Sequence, residues 1–369
     1  MRRYVVDSAF LDKRLTGVER VAIETLKKLD PIVQPGQLEI RVQREEQKQK
    51  AQEYLGELKN IAVKVGGSGR VLGKSRIGRL LWKQLGLPVY CCCTRRRMLG
   101  FANESALLMP GVVCLHDILP LTHPEYFTDM RKSSRLKLRL MDWMIVHCAR
   151  SLVTDSVYSV REIQKYYHTQ RKIHVIGAGW DHMRTIMPDE GVFARIPQLR
   201  RGEFFFMLGS LSPRKNQKWF EAMARRYPQY QFVRTGGQLA RVEEESVDLP
   251  NLFFTGYLSD GEMNALMREM KALVFPSYEE GFGLPPLEAL ALGRPALVAR
   301  ASCMPEIYGD TVAYFDPDDR NADLDELMNR KTQPVDELLR RYSWENLAKM
   351  WLVILNENET ATLENMPER

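Results

Sequence analysis

Through its second half the chain alternates between short, wholly apolar runs and longer stretches in which apolar residues recur every three or four positions. Phe204-Phe205-Phe206-Met207-Leu208 reads as a strand, and Asn216 to Arg226 as a helix. Gln231-Phe232-Val233 is a strand running into Gly236-Gly237, and Leu252-Phe253-Phe254 is another. Ser259-Asp260-Gly261-Glu262 sets a hydroxyl three residues ahead of a carboxylate, a reciprocal cap for a helix reaching Met270. Ala272-Leu273-Val274-Phe275 predicts a buried strand, and a helix through Leu287 to Leu292 stops at Gly293. Pro295 to Ala299 is the next strand. This alternation predicts a parallel sheet with helices on both faces, whose ligands lie beyond the carboxyl ends of the strands.

The first half follows the same rhythm less cleanly. Tyr4-Val5-Val6 is a strand, Val18 to Leu29 a helix, and the apolar stretch Ala106 to Leu115 contains a strand ending at His116-Asp117. Ser151 to Thr154 and Ile173 to Ile176 supply later strands, Val89-Tyr90-Cys91-Cys92-Cys93 reads as another, and the charged residues 43–60 predict an exposed helix. Pro188, Gly191 and Pro197 interrupt the pattern. The expected division is therefore a first domain over 1–187, a linker over 188–202, a second domain over 203–342, and a terminal segment over 343–369. In that last segment Ser343 opens a helix whose Leu347, Met350, Trp351, Ile354 and Leu355 form one apolar face.

A chain of 369 residues has room for two such cores, and 44% apolar with 27% charged residues fits a soluble protein. Asp7 and Asp12 interrupt the N-terminus too early for a signal peptide. The run Ala106 to Leu115 is too short to span a bilayer. Six cysteines without C-x-x-C spacing read as reduced thiols, so a cytoplasmic location is expected.

Charge sharpens the division. Residues 1–187 hold 32 Lys and Arg against 18 Asp and Glu, a net +14, while 188–369 hold 21 against 29, a net −8. Between Arg70 and Arg97 the cations Arg70, Lys74, Arg76, Arg79, Lys83, Arg95, Arg96 and Arg97 have no acidic residue among them, and Leu72, Ile77, Leu80, Leu81, Trp82, Leu85 and Leu87 are interleaved. Arg131, Lys132, Arg135, Lys137 and Arg139 share a second basic helix with Leu136, Leu140 and Trp143. Such faces suit peripheral docking on an anionic membrane, on the inner face of the cell membrane. A solvated basic face is the plainer alternative. No nucleic-acid-binding fold is recognisable, so nucleic acid is not expected as a partner.

The chemistry concentrates in Pro276-Ser277-Tyr278-Glu279-Glu280-Gly281-Phe282-Gly283-Leu284-Pro285-Pro286-Leu287-Glu288. Two glycines at a strand end, leading into a helix N-terminus, leave backbone N–H groups for an anion. Glu280 and Glu288 bracket the turn, placing carboxylates for hydroxyls beside amides for phosphate. The string, S-x-x-E-G-F-G-L-P-x-x-E-A with a strand before and a helix after, resembles the signature of the family 4 retaining glycosyltransferases. That resemblance implies a GT-B fold, two Rossmann-like α/β domains facing across a cleft, with the terminal helix crossing back to the first domain.

The resemblance also implies roles. Glu288 would bind the ribose, while Glu280 and the turn Gly281, Phe282, Gly283 and Leu284 would face the donor sugar and phosphates. Pro213-Arg214-Lys215-Asn216 resembles the family's P-R-K-N element, making Arg214 and Lys215 a phosphate clamp at a helix start. Ser210 follows Gly209 where many relatives carry a further arginine, so the clamp would rest on these two cations. Tyr257 and Leu258 fall where the family meets the base through its backbone. His116-Asp117 resembles the H-D element, with His116 and Asp117 counted, with Glu280, as the catalytic set; orientation and charge stabilisation suit His116 better than general-base work. Thr16-Gly17-Val18-Glu19-Arg20 resembles the first flexible loop, with Gly17 near the donor phosphates and Arg20 binding acceptor or simply facing solvent. Pro305-Glu306 reads as a brace for the nucleotide pocket.

The expected function is metal-independent, cofactor-free transfer of a hexose, with retention, in cell-surface polysaccharide synthesis. The donor is a GDP, UDP or dTDP sugar, GDP-mannose being the preferred choice, and the acceptor a glycan or polyprenyl-linked saccharide. A GT-B epimerase or phosphorylase, and a non-catalytic membrane or nucleic-acid binding protein, remain the alternatives.

Overall fold

The computed structural model describes residues 2–12, 15–66, 75–107, 109–236 and 249–357. Arg70, Leu72, Lys74 and Gly237 lie outside the described residues, as does the end of the terminal segment from 358.

Two parallel sheets form the frame. The first has the order β3-β2-β1-β4-β5-β6-β7. Its strands are β1 (Tyr4–Asp7), β2 (Leu38–Val42), β3 (Ala62–Val65), β4 (Arg97–Gly100), β5 (Val112–Cys114), β6 (Ser151–Thr154) and β7 (Ile173–Val175). The second has the order β10-β9-β8-β11-β12-β13. It comprises β8 (Phe204–Met207), β9 (Gln231–Arg234), β10 (Leu252–Phe254), β11 (Ala272–Phe275), β12 (Ala296–Ala299) and β13 (Ala313–Phe315). Every residue of β8, β11 and β12 is buried, as expected where helices cover both faces and each strand reads as a continuous apolar run. In the second sheet the strand order reverses between β8 and β11, the crevice where open α/β sheets take ligands.

The passage between sheets runs through Ile176–His182, ahead of the 188–202 stretch that the prolines and glycine mark. By Met183 the chain is already held on the second domain, where the Asn264 side chain donates to the carbonyls of Met183 and Ile186 at 3.0 and 2.9 Å. The terminal helix Trp344–Asn356 lies against the helix Gly17–Leu29 of the first domain. The Tyr4 hydroxyl donates to the Leu355 carbonyl at 2.7 Å, and Trp351 meets Phe101 edge-on at 4.9 Å between ring centroids. One apolar core thus continues from Tyr4 and Phe101 through Trp180, Met183 and Trp344 to Leu287 and Phe275.

Two expectations are corrected. Val89–Cys93 is no strand; it lies in the helix Leu87–Thr94. Pro88 occupies the first turn, where its missing N–H costs nothing, and the burial of Leu87 and Cys91 follows the four-residue helical spacing. Trp82, read as part of a docking face, is buried against Val5, Leu87 and Met98. Several cations of that stretch also serve the fold: Lys83 pairs with Asp7 at 3.2 Å and Glu104 at 2.5 Å, and Arg96 with Glu39 at 3.7 Å. No helix among the described residues is long and apolar enough to cross a membrane.

Candidate active site

At the crevice between β8 and β11 the two halves of the expected clamp meet. Residues Pro213–Lys215 form a single tight turn, and Asn216 takes a left-handed conformation at φ 53° that its short polar side chain tolerates. That residue redirects the chain into the helix Gln217–Arg226, leaving Arg214 and Lys215 aimed at the loop after β11. There Glu280 Oε2 pairs with Arg214 Nη1 at 2.7 Å and Glu280 Oε1 with Lys215 Nζ at 2.5 Å. Arg214 also donates to the Glu279 carbonyl at 2.8 Å and its own carbonyl accepts from Tyr278 N–H at 2.8 Å, locking the two loops together.

Burial alone would raise the Glu280 pKa, but Arg214 and Lys215 overcome it and hold the carboxyl down at about 2. Burial pulls the Lys215 pKa down against the attraction of Glu280, whereas Arg214 is pushed up because Glu280 outweighs its own burial. Two cations thus share one carboxylate in a buried place, with Asp117 also close enough to act on both. Paired cations of this kind can meet the charge of an incoming diphosphate.

The turn after Glu280 is shaped by close approach. Gly283 has φ 78°, and a Cβ there would stand 2.4 Å from the Met304 side chain. A Cβ on Gly281 would stand 3.1 Å from the His116 carbonyl oxygen and 3.2 Å from Asp117 Cβ, so the turn presses directly on the first domain. The Phe282 ring is buried edge-on to Tyr342 at 5.1 Å, leaving its backbone to face any ligand. Pro285 and Pro286 carry no N–H, so the donors this turn can offer are the amides of Gly281 to Leu284.

The first domain holds this turn from the other side. Ser156, the N-cap of the helix Val157–Tyr167, donates to the Gly281 carbonyl at 2.7 Å. The Tyr158 hydroxyl donates to Glu279 at 2.6 Å. Glu306 accepts from the N–H groups of Val157 and Tyr158 at 2.6 and 2.8 Å. Its carboxylate thus caps a helix of the opposite domain.

His116 and Asp117 stand beside the turn, but the His116 ring faces inward. Its Nδ1 lies 2.8 Å from Asp155 Oδ2 and its Nε2 2.7 Å from the Phe101 carbonyl, so both nitrogens are engaged within the first domain. Burial would lower its pKa, yet Asp155 raises it well above the usual imidazole range, and both ring partners are oxygens that accept. This geometry makes His116 an anchor for the loop rather than a free group against a sugar. Asp117, whose carboxyl is pushed up by burial, accepts from Leu119 N–H at 3.1 Å and lies next to Gly281. Among the described residues, Cys114, His116 and Asp155 alone bring three metal-ligating atoms within 4.8 Å of one another. Their donor set is already spent on the His116–Asp155 pair, and burial raises the Cys114 thiol, which disfavours the thiolate a metal needs.

Glu288 is buried in the first turns of the helix Leu284–Ala291, where Oε1 accepts from His182 Nε2 at 2.9 Å. Tyr257 is half exposed and Leu258 packs into the core. Tyr257, Ser259 and Asp260 face Asp12, Leu15 and Tyr54 of the first domain across an open cavity of about 600 Å³. Gly17 opens the helix Gly17–Leu29 with empty space where a Cβ would stand, and Arg20 reaches across to Asp260 Oδ2 at 2.5 Å. Sequence reasoning missed Asp155, Ser156, His182, Asp260 and Trp344, which act through contacts made only in the folded chain.

This is the arrangement of GT-B proteins, and the chain has the GT-B fold. Residues 193–342, which hold the second sheet and the signature turn, match the family described as Glycosyl transferases group 1. The chain is 32% identical over 229 residues to the serotype-specific mannosyltransferase WbdA of Escherichia coli, covering 56% of this chain and 27% of that one. It therefore spans about a quarter of that relative's length. It is 26% identical to the O-antigen chain mannosyltransferase RfbU of Salmonella typhimurium, over 67% of this chain and 70% of that one. HepE of Anabaena, solved with UDP and glucose, superposes with a TM-score of 0.68 at 16% identity, covering 97% and 100% of the two chains.

Proposed function

We propose that the protein is a retaining, metal-independent glycosyltransferase that moves a hexose from a nucleoside diphosphate sugar to a glycan or polyprenyl-linked acceptor in cell-surface polysaccharide synthesis. The observation that carries this reading is the shared carboxylate: Arg214 and Lys215 converge on Glu280 at the crevice where the strand order reverses. When the donor enters, its diphosphate takes over the two cations, and Glu280 is released to accept from hydroxyls of the sugar. Glu288 accepts from the ribose, and the turn amides at 281–284 meet the phosphates. Gly17 lets the diphosphate approach the first domain, and the backbone at Tyr257-Leu258 meets the base.

In the transfer step the bond from the sugar C1 to the diphosphate oxygen breaks. The acceptor hydroxyl oxygen bonds C1 from the same face, and its proton passes to the departing phosphate oxygen. Arg214 and Lys215 meet the growing charge, the work that a metal ion performs elsewhere. His116 and Asp117 hold the wall against which the sugar lies. The relatives' names favour mannose, and GDP-mannose is the donor of choice. Exposed Ile77, Leu80, Leu85 and Val89, and Leu136, Leu140 and Trp143 among Lys132, Lys137 and Arg139, favour peripheral docking at an anionic membrane, where a lipid-linked acceptor would reside.

The test is donor consumption and thermal shift with GDP-mannose, UDP-glucose and dTDP-glucose, in EDTA, with a polyprenyl-linked acceptor. GDP-mannose is expected to raise the Tm and yield an α-linked mannoside, and Lys215→Ala to abolish both. No response to any of the three donors would overturn the reading.

A further inference from the structure

Glu288 does not stand alone in its pocket. His182 comes from the short helical turn Asp181–Arg184 in the passage between the domains, and Trp344 opens the terminal helix, so three distant segments meet here. His182 Nε2 lies 2.9 Å from Glu288 Oε1, and Trp344 Nε1 lies 3.0 Å from His182 Nδ1. The side chains of His182 and Glu288 are 1% and 6% exposed, so water does not compete for these contacts.

The direction of the chain follows from chemistry. An indole N–H only donates, so His182 Nδ1 must be the acceptor, and the ring proton belongs on Nε2, facing the carboxylate. The second-domain carboxylate is thereby fixed from the passage between the domains. The position of Trp344 is secured in turn: its backbone N–H donates to Asp181 Oδ1 at 2.6 Å, and Asp181 Oδ2 pairs with Lys28 of the first domain at 3.3 Å. A carboxylate offers about four lone-pair sites, so one hydrogen bond to His182 leaves it free to accept from a diol while fixing its plane.

We infer that His182, with its tautomer set by Trp344, is the positioning residue that orients Glu288 toward the ribose of the donor. The inference rests on the reading of Glu288 as the ribose ligand. His182 touches no part of the donor and acts through the carboxylate alone.

The experiment compares affinity for GDP or UDP, whichever the unmodified chain binds, with affinity for its 2′,3′-dideoxy form. Calorimetry on the full chain reads the ratio. Hydrogen bonds from the ribose to a charged acceptor are expected to give the parent about a tenfold to hundredfold preference for the ribonucleotide. His182→Leu is expected to erase most of that preference while leaving dideoxynucleotide affinity unchanged. His182→Gln, which can place an amide N–H near Nε2, is expected to restore most of it. Trp344→Phe keeps one aromatic ring and removes the five-membered ring with the N–H that fixes the tautomer; it is expected to lower the preference by several-fold, and it serves as the deciding variant should His182→Leu fail to fold. Equal loss of both nucleotides in His182→Leu, or an unchanged preference in folded His182→Leu or Trp344→Phe, overturns the inference. Glu288→Gln separates it from the parent reading. If that variant keeps the full ribose preference, Glu288 is not the ribose ligand. If it loses the preference while His182→Leu keeps it, only the role of His182 falls.

Discussion

Glu306, from the second domain, caps a helix of the first: its two carboxylate oxygens accept from the backbone N–H groups of Val157 and Tyr158 at 2.6 and 2.8 Å. A carboxylate on the first amides of a helix meets unsatisfied donors and the positive end of the helix dipole together. With Ser156 bound to the Gly281 carbonyl at 2.7 Å, this contact holds the two domains together around the signature turn.

Glu306→Gln is expected to retain fold and nucleotide affinity but to slow transfer, because the domains part more often. A cap of this kind contributes about 1 kcal/mol, so about a fivefold loss in kcat is expected, with a larger radius of gyration in solution scattering. An unchanged radius together with unchanged kcat would show that the cap plays no part in closure.

The shared carboxylate predicts an unusual rescue. Replacing Glu280 by Gln leaves the Arg214 and Lys215 charges facing each other without the carboxylate that they share, and breaking a buried pair from one side costs about 3–5 kcal/mol. The variant is expected to melt lower than the parent and to recover most of that loss when nucleoside diphosphate is added, because the diphosphate supplies the missing anion. Transfer is expected to fall by a factor of about 100 or more even where binding tightens. Scanning fluorimetry with and without nucleotide reads the first effect. If nucleotide stabilises parent and variant equally, the cations are not its binding site.

The parts of this picture that the sequence revealed are those carried by local pattern. Strands β8, β11 and β12 were legible because both faces are buried, making every residue apolar, and Ser259-Asp260-Gly261-Glu262 spelled out a helix cap that the structure contains. The five-residue apolar run at Val89 was ambiguous for the same reason, since a short run without alternation fits strand or helix; Pro88 was the cue that decided it. What could not be read was orientation across elements. The inward turn of His116 depends on the Phe101 carbonyl and Asp155, which arrive from neighbouring strands, and the partner of Glu288 lies 106 residues away in a segment without periodicity.

Asp142 gives a pH prediction. It lies on the inner face of the helix Lys132–Cys148, and its Oδ1 is buried with no hydrogen-bond partner among the described residues. Burial, aided by the nearby charge of Asp117, raises its pKa from 3.8 to about 7. A carboxyl with a raised folded pKa keeps its proton where the unfolded chain has lost it, so its contribution to stability falls as pH climbs from about 4 to 7 and stays low above. A tenfold difference in proton affinity between folded and unfolded chain corresponds to about 1.4 kcal/mol, so Asp142→Asn is expected to gain about 2–4 kcal/mol at pH 8 and little at pH 4. Melting curves at the two pH values check the sign; greater loss at pH 8 than at pH 4 would contradict it.

Arg20 supplies the last test, because its expected role and its observed partner differ. The guanidinium bridges to Asp260 at 2.5 Å and to Glu24 at 3.8 Å, beside the cavity between Tyr54 and Tyr257. If Arg20 serves only as a bridge between domains, Arg20→Ala and Asp260→Ala must act alike, since either breaks the same pair. If Arg20 also meets the acceptor, the two must diverge. Arg20→Ala is expected to raise the acceptor KM about tenfold while leaving nucleotide affinity unchanged. Asp260→Ala frees the guanidinium and is expected to lower that KM or leave it in place. The pair is partly exposed, so neither change is expected to cost more than about 1 kcal/mol of stability, which keeps the kinetic comparison clean. Acceptor titrations at saturating donor decide the matter, and matching KM values in the two variants would assign Arg20 to the bridge alone.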